Sequence, residues 1–141
     1  MEEYVITPSD AQLLKKQMDK FFDDKVKGFD LNKLECLYLV HLFNKDGVSL
    51  IELTNAVCLD KANTTRVIFD LEKRGLVIRK ENEKDNRKYK IFLTEKAEAY
   101  RERLMAITNE LNKKVFKGIT KCERKSFFKV MQKIYANVNK L

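Results

Sequence analysis

Apolar residues recur every three or four positions over most of the chain. Leu14, Met18, Phe21, Phe22 and Val26 form the first such stripe, which is the spacing of an amphipathic helix. Thr7-Pro8-Ser9-Asp10 marks its start, with Thr7 as cap, Pro8 at the first helical position and Asp10 in the first turn. Gly28 marks its end. Asn32 is placed to cap a second helix whose apolar face is Leu34, Leu37, Tyr38 and Leu42. After the turn Lys45-Asp46-Gly47, Ser49 and Glu52 stand three residues apart as a capping box, opening a short helix to about Val57. Asp60 caps the next helix, which the spacing carries to Arg74 and stops at Gly75. Its inward stripe is Thr64, Val67, Ile68 and Leu71. Two short helices joined by a three- or four-residue turn predict a helix-turn-helix.

The period then drops to two. Leu76 to Lys80 and Tyr89 to Leu93 alternate as strands do, and together predict a hairpin with a long polar tip. Thr94 is placed to cap a helix carrying Tyr100, Leu104, Ile107, Leu111 and Val115 on one side. Thr120 and Glu123 form a second capping box, before a last helix with Phe127, Val130, Met131, Ile134 and Val138. One proline and four glycines leave few breaks. The expected fold is mainly α with a small β-hairpin wing, a winged helix-turn-helix flanked by N- and C-terminal helices.

With 141 residues the chain is expected to be one domain. Residues 31–94 would be its central lobe, and 7–27 and 95–141 the flanking helices. The longest nearly apolar run, Leu34 to Phe43, is too short to span a bilayer, so no membrane partner is expected. Cys36, Cys58 and Cys122 are well separated, which fits a reducing compartment, and a cytoplasmic protein is the expectation. The net charge of +8 points to a polyanionic partner, nucleic acid first. The excess is uneven: residues 1–59 carry −3, 60–94 carry +4 and 95–141 carry +7.

Catalysis has no visible apparatus: there is no Ser-His-Asp set, Gly-rich phosphate loop or convergent carboxylate pair. A lone His41 and scattered cysteines argue against a metal site, so neither an enzyme nor a cofactor is expected. Cys122 lies in the first turn of the last helix among Lys121, Arg124 and Lys125, and is the cysteine expected to react most readily. The polar hairpin tip suits phosphate contact, with arginine the side chain for a minor groove. Lys61, Asn63, Thr65 and Arg66 lie off the apolar stripe of the predicted recognition helix, whose N-terminal half enters the major groove in such motifs.

From Leu31 onward the sequence resembles the multiple antibiotic resistance regulator (MarR) family of winged-helix DNA-binding proteins. The resemblance rests on Asp60 to Ala97: a recognition helix ending LEKRGLV, an Asp-x-Arg element at Asp85-Asn86-Arg87, and the LTEK that starts the next helix. It implies a homodimer on double-stranded DNA that acts as a transcriptional regulator, usually a repressor. It also implies that Arg87 enters the minor groove while Asp85 holds the tip in shape, with Lys84 and Lys88 as further phosphate ligands. Many relatives bind a small-molecule effector, for which Phe21, Phe22, Phe29 and Tyr38 would line a crevice; core packing is the reading the helical spacing favours. Two departures stand out. Cys58 occupies a turn position where many relatives have glycine, and a left-handed backbone there costs roughly 1 kcal/mol. Phe69 and Asp70 replace residues that are more usually polar or basic. Both bear on how far the recognition helix contacts bases, and Asp70 with the modest +4 charge of residues 60–94 raises the alternative of a winged-helix module that docks a protein and does not read DNA sequence.

Overall fold

The computed structural model describes residues 4–82 and 85–141, and the side chains of all of these except 82–87. In order, the elements are α1 (Pro8–Val26), α2 (Lys33–Asn44), β1 (Val48–Ser49), α3 (Leu50–Val57), α4 (Lys61–Lys73), β2 (Val77–Asn82), β3 (Asp85–Leu93), α5 (Glu98–Val115) and α6 (Lys121–Val138). A single turn of 3-10 helix, Glu95–Ala97, precedes α5. The chain forms two compact units that divide after Thr108, within α5. No helix among the described residues is long and apolar enough to cross a membrane.

In the first unit α2 is the central element, packing against α1, α3, α4 and β3. Its burial exceeds what the four-residue stripe suggested. Cys36, Leu39 and Val40 are buried together with Tyr38 and Leu42, and Leu34 and Leu37 are half-buried. Asn32 caps it by accepting the Glu35 N–H at 2.9 Å, and the Glu35 carboxylate accepts the Asn32 N–H at 3.0 Å. That carboxylate is buried, and its other oxygen lies 3.4 Å from the Arg74 guanidinium. One acidic side chain therefore starts α2 and ties it to the end of α4. On α1 only the C-terminal half reaches this core. Phe22 and Val26 are buried, whereas Leu14 and Met18 remain exposed.

The sheet has the order β1-β3-β2, all antiparallel. β1 was not expected from the sequence, being only two residues long. It places Val48 opposite Ile91, both buried. The preceding turn needs its glycine twice over. Gly47 has φ +69°, and a Cβ there would stand 2.7 Å from the Phe92 ring. Asp46 fixes the same turn, since one carboxylate oxygen accepts N–H groups from both Gly47 and Leu93 at 2.9 Å.

The hairpin differs from expectation in length. Both strands run on into the charged segment, with Asn82 paired to Asp85, so the polar residues form ladder rather than a long loop. Charged side chains suit such a solvated ladder, because they blunt strand edges against further pairing. At the end of β3, Thr94 does not use its side chain to cap the following turn. Its hydroxyl donates instead to the Gly75 carbonyl at 2.6 Å, and Lys96 Nζ donates to the Arg74 carbonyl at 2.7 Å. Both satisfy carbonyls left open at the C-terminus of α4.

The second unit comprises the end of α5, a turn through Gly118 (φ +79°) and α6. Thr120 and Glu123 form the expected reciprocal capping box, with bonds of 2.8 and 3.1 Å. The Arg124 guanidinium lies 4.0 Å from the Phe116 ring centre, and Phe128 packs on Phe116. No residue of α6 is buried.

Candidate nucleic-acid interface

Local capping sets the two helices of the helix-turn-helix. The Ser49 hydroxyl accepts the Glu52 N–H at 3.1 Å and starts α3. The Glu52 carboxylate accepts from Lys45 and, more weakly, from Ser49, and this holds it below the usual carboxylate range. Cys58 ends α3 at φ +57°, the left-handed conformation anticipated for this turn. Asp60 then caps α4, its carboxylate accepting the Asn63 N–H at 2.7 Å. Thr64, Val67, Ile68 and Leu71 are buried, so α4 rests on the core by the expected stripe. Thr64 is also anchored by a relay: its hydroxyl donates to the Asp60 carbonyl (3.1 Å), which leaves it to accept a hydrogen bond from the Tyr38 hydroxyl (2.8 Å). Burial and the charge of Asp60 push the Tyr38 phenol up, although its bond to Thr64 works the other way.

The opposite face of α4 is open. Lys61, Thr65 and Arg66 are exposed, while Asn63 is half-buried on one flank. Arg66 donates to the Asn63 side-chain oxygen at 2.6 Å, so these two sequence-derived base readers are joined. Thr65 donates its hydroxyl to the Lys61 carbonyl at 2.8 Å. At 3.6 residues per turn, the positions pointing directly away from the buried stripe are Ala62, Arg66, Phe69 and Lys73. Phe69 is 54% exposed, with the Lys73 ammonium 5.5 Å from its ring centre. Lys61, Ala62, Thr65, Arg66 and Phe69 surround one shallow concavity. Ala62 and Lys73 are not among the residues singled out by sequence, and Phe69 is singled out there only as a departure from the family pattern. The signal was present, since Phe69 falls out of step with the 64–67–68–71 stripe. Asp70 is half-buried on the same flank as Asn63.

The hairpin is braced against α4 from its inner face. Arg79 makes two 2.9 Å bonds to the Glu72 carboxylate, and its guanidinium lies 5.1 Å from the Tyr89 ring centre. The carboxylate and the tyrosine both hold the Arg79 guanidinium above its usual value. On the outer face Ile78 stands opposite Phe92 and Lys80 opposite Lys90, with Lys80 Nζ 5.0 Å from the Phe92 ring centre. Lys88 is exposed on β3. Lys84 lies outside the described residues, as do the side chains of Asp85 and Arg87, although both of these positions belong to β3.

The four aromatics named for a crevice lie in or against the core of the first unit. Phe22 and Tyr38 are buried, and Phe21 and Phe29 pack against the core they belong to. The Arg103 guanidinium covers Phe29 at 4.0 Å. A groove along α1 and the entry to α2 includes Phe29 but otherwise consists largely of Lys and Asp side chains. Among the cysteines Cys36 is buried, which with Glu35 nearby pushes its thiol up to about 11, while Cys58 and Cys122 are exposed. Among the described residues no cluster of three or more His, Cys, Asp or Glu is placed to hold a metal ion.

The MarR family model matches residues 31–89, from the start of α2 into the last strand. The HTH-type transcriptional regulator SarZ of Staphylococcus aureus is 30% identical over 111 residues, covering 79% of this chain and 72% of the relative. Solved structures share the fold. A putative MarR family transcriptional regulator from Listeria monocytogenes, crystallised with a 26mer DNA, has a TM-score of 0.82 at 24% identity, over 96% of this chain and 90% of that one. A MarR protein from Peptoclostridium difficile has a TM-score of 0.76 at 26% identity, over 98% and 95%. The helical body with its three-stranded sheet is thus the winged helix of these proteins.

Proposed function

This chain belongs to the MarR family, and we propose that it is a cytoplasmic regulator of transcription that binds specific double-stranded DNA as a homodimer. In this reading α4 lies in the major groove, the hairpin reaches the minor groove through Arg87, and occupation of a promoter excludes polymerase and represses. The observation that carries it is the construction of α4. Its inner face is fixed by Thr64, Val67, Ile68 and Leu71, and its outer face offers Lys61, Thr65 and Arg66 to solvent. Such a rigid helix with a free cationic face suits base reading, because groups held in place lose little freedom on binding. The Listeria protein of the same fold was crystallised with a 26mer DNA, which supports DNA as the partner. Lys88 supplies charge along the hairpin, and Lys84, Asp85 and Arg87 are assigned to its tip by the family resemblance.

The test is a titration against a duplex selected by the protein from a random pool and against its scrambled counterpart, each at two salt concentrations. Asn63→Ala and Arg66→Ala are expected to cost roughly 1–3 kcal/mol on the selected duplex and little on the scrambled one. Because Arg66 and Asn63 are hydrogen-bonded, their losses are expected to fall short of additive. Arg87→Ala is expected to weaken both duplexes alike and to lower the salt slope by about one unit. Equal losses on the two duplexes for the α4 variants would show that α4 is not the reading helix.

A further inference from the structure

Phe69 sits at the centre of the outward face of α4, not at its edge. A large apolar side chain that is 54% exposed there lowers solubility and leaves hydrophobic surface in water. Its neighbours continue the apolar surface. Ala62 adds its methyl, and Thr65 turns its hydroxyl back to the Lys61 carbonyl. The three line one concavity together with Lys61 and Arg66. Cations thus border an apolar centre, with Lys73 close to the ring on the far side. In the major groove the one apolar feature on a base edge is the thymine 5-methyl group, and it is flanked by phosphates. The nine residues from Lys61 to Phe69, eight steps of rise, span about 12 Å of helix, no more than the roughly 12 Å width of that groove.

We propose that Phe69, assisted by Ala62 and the Thr65 methyl, reads thymine 5-methyl groups and so selects T-containing steps. This rests on the DNA-binding reading above and adds to it the base chemistry recognised. Asp70, half-buried on the flank, does not line this concavity. Arg66 then provides the polar contact beside an apolar one, which is how a helix with few free donors distinguishes A·T from G·C.

The experiment is a cycle of two proteins and two duplexes. Wild type and Phe69→Ala are titrated against the selected duplex and against the same duplex with every thymine replaced by deoxyuridine. Replacing the methyl by hydrogen is expected to weaken wild type by about fourfold for each methyl contacted. Phe69→Ala is expected to bind the two duplexes equally, and Phe69→Leu to retain part of the discrimination. Equal losses for wild type and Phe69→Ala would place the effect in DNA stiffness and overturn the proposal. A wild type that selects a sequence yet ignores methyl removal would overturn it too, while leaving the DNA-binding reading intact. A wild type that selects no duplex would remove both, and Phe69 would then be a protein-docking side chain.

Discussion

At single residues, environment rather than identity decides behaviour, and His41 is the clearest case. It is half-buried on α2, and desolvation lowers its affinity for a proton below the ordinary 6.5. Lys45 and Glu52 line the same shallow cavity. A histidine that protonates more readily unfolded than folded contributes stability above its unfolded value and loses it as pH falls. Folding stability is therefore expected to decline as pH drops below about 6.5, before the carboxylates titrate. His41→Gln is expected to flatten that decline, as followed by urea unfolding at pH 7.5 and 5.5; an unchanged pH dependence would exclude His41 as its source. Cys58 shows the same rule in the backbone. The left-handed turn was anticipated from the family resemblance, since many relatives have glycine there, and the backbone keeps it although Cys58 carries a Cβ.

Among the elements, α4 depends on a relay that the periodicity does not reveal. Thr64 counts as an apolar position in the stripe, and its methyl fulfils that role. Its hydroxyl is what the structure adds, accepting from the Tyr38 hydroxyl in a fully buried pair. The two ends of this bond are unequal. In Tyr38→Phe the Thr64 hydroxyl keeps the Asp60 carbonyl as partner. In Thr64→Val the Tyr38 hydroxyl loses the one bond it has among the described residues and stays buried. Thr64→Val is thus expected to cost about 1–3 kcal/mol and Tyr38→Phe about 1 kcal/mol, measured by equilibrium denaturation; the reverse order would mean the relay runs the other way. The helices, their caps and the inward stripe of α4 could be read from the sequence because capping and period are local. β1, the Asp46 bridge to Leu93 and the use of Thr94 could not, because each depends on a residue distant along the chain. The central place of Phe69 was present in the spacing, but it emerged only when the whole helix face was laid out. Arg79 illustrates a further limit: nothing local tells an arginine that braces α4 from one that meets a phosphate.

The whole molecule carries more apolar surface than a solitary chain accounts for. In the first unit Val5, Ile6, Leu13, Leu14 and Met18 are exposed, and in the second Phe127, Phe128, Val130, Tyr135 and Val138 are. Extended patches of this kind mark interfaces, and a two-fold pair suits half-sites about 34 Å apart. The protein is expected to scatter light as a dimer at micromolar concentration. Phe127→Asp combined with Val130→Asp is expected to give monomers that keep their helix content but bind the selected duplex at least tenfold more weakly; a wild-type monomer would refute the assignment. Charge follows a different logic. Residues 95–141 carry +7 against +4 for residues 60–94, so the segment with the most charge is not the one that holds α4 and the hairpin. The smallest element, finally, governs assembly order. β1 pairs with β3 and not with a nearer strand, closing a loop of roughly forty residues that contains α3, α4 and β2. Closing a flexible loop of that length costs entropy that two ladder residues cannot repay. The third strand is therefore expected to join the hairpin only after α3 and α4 have packed.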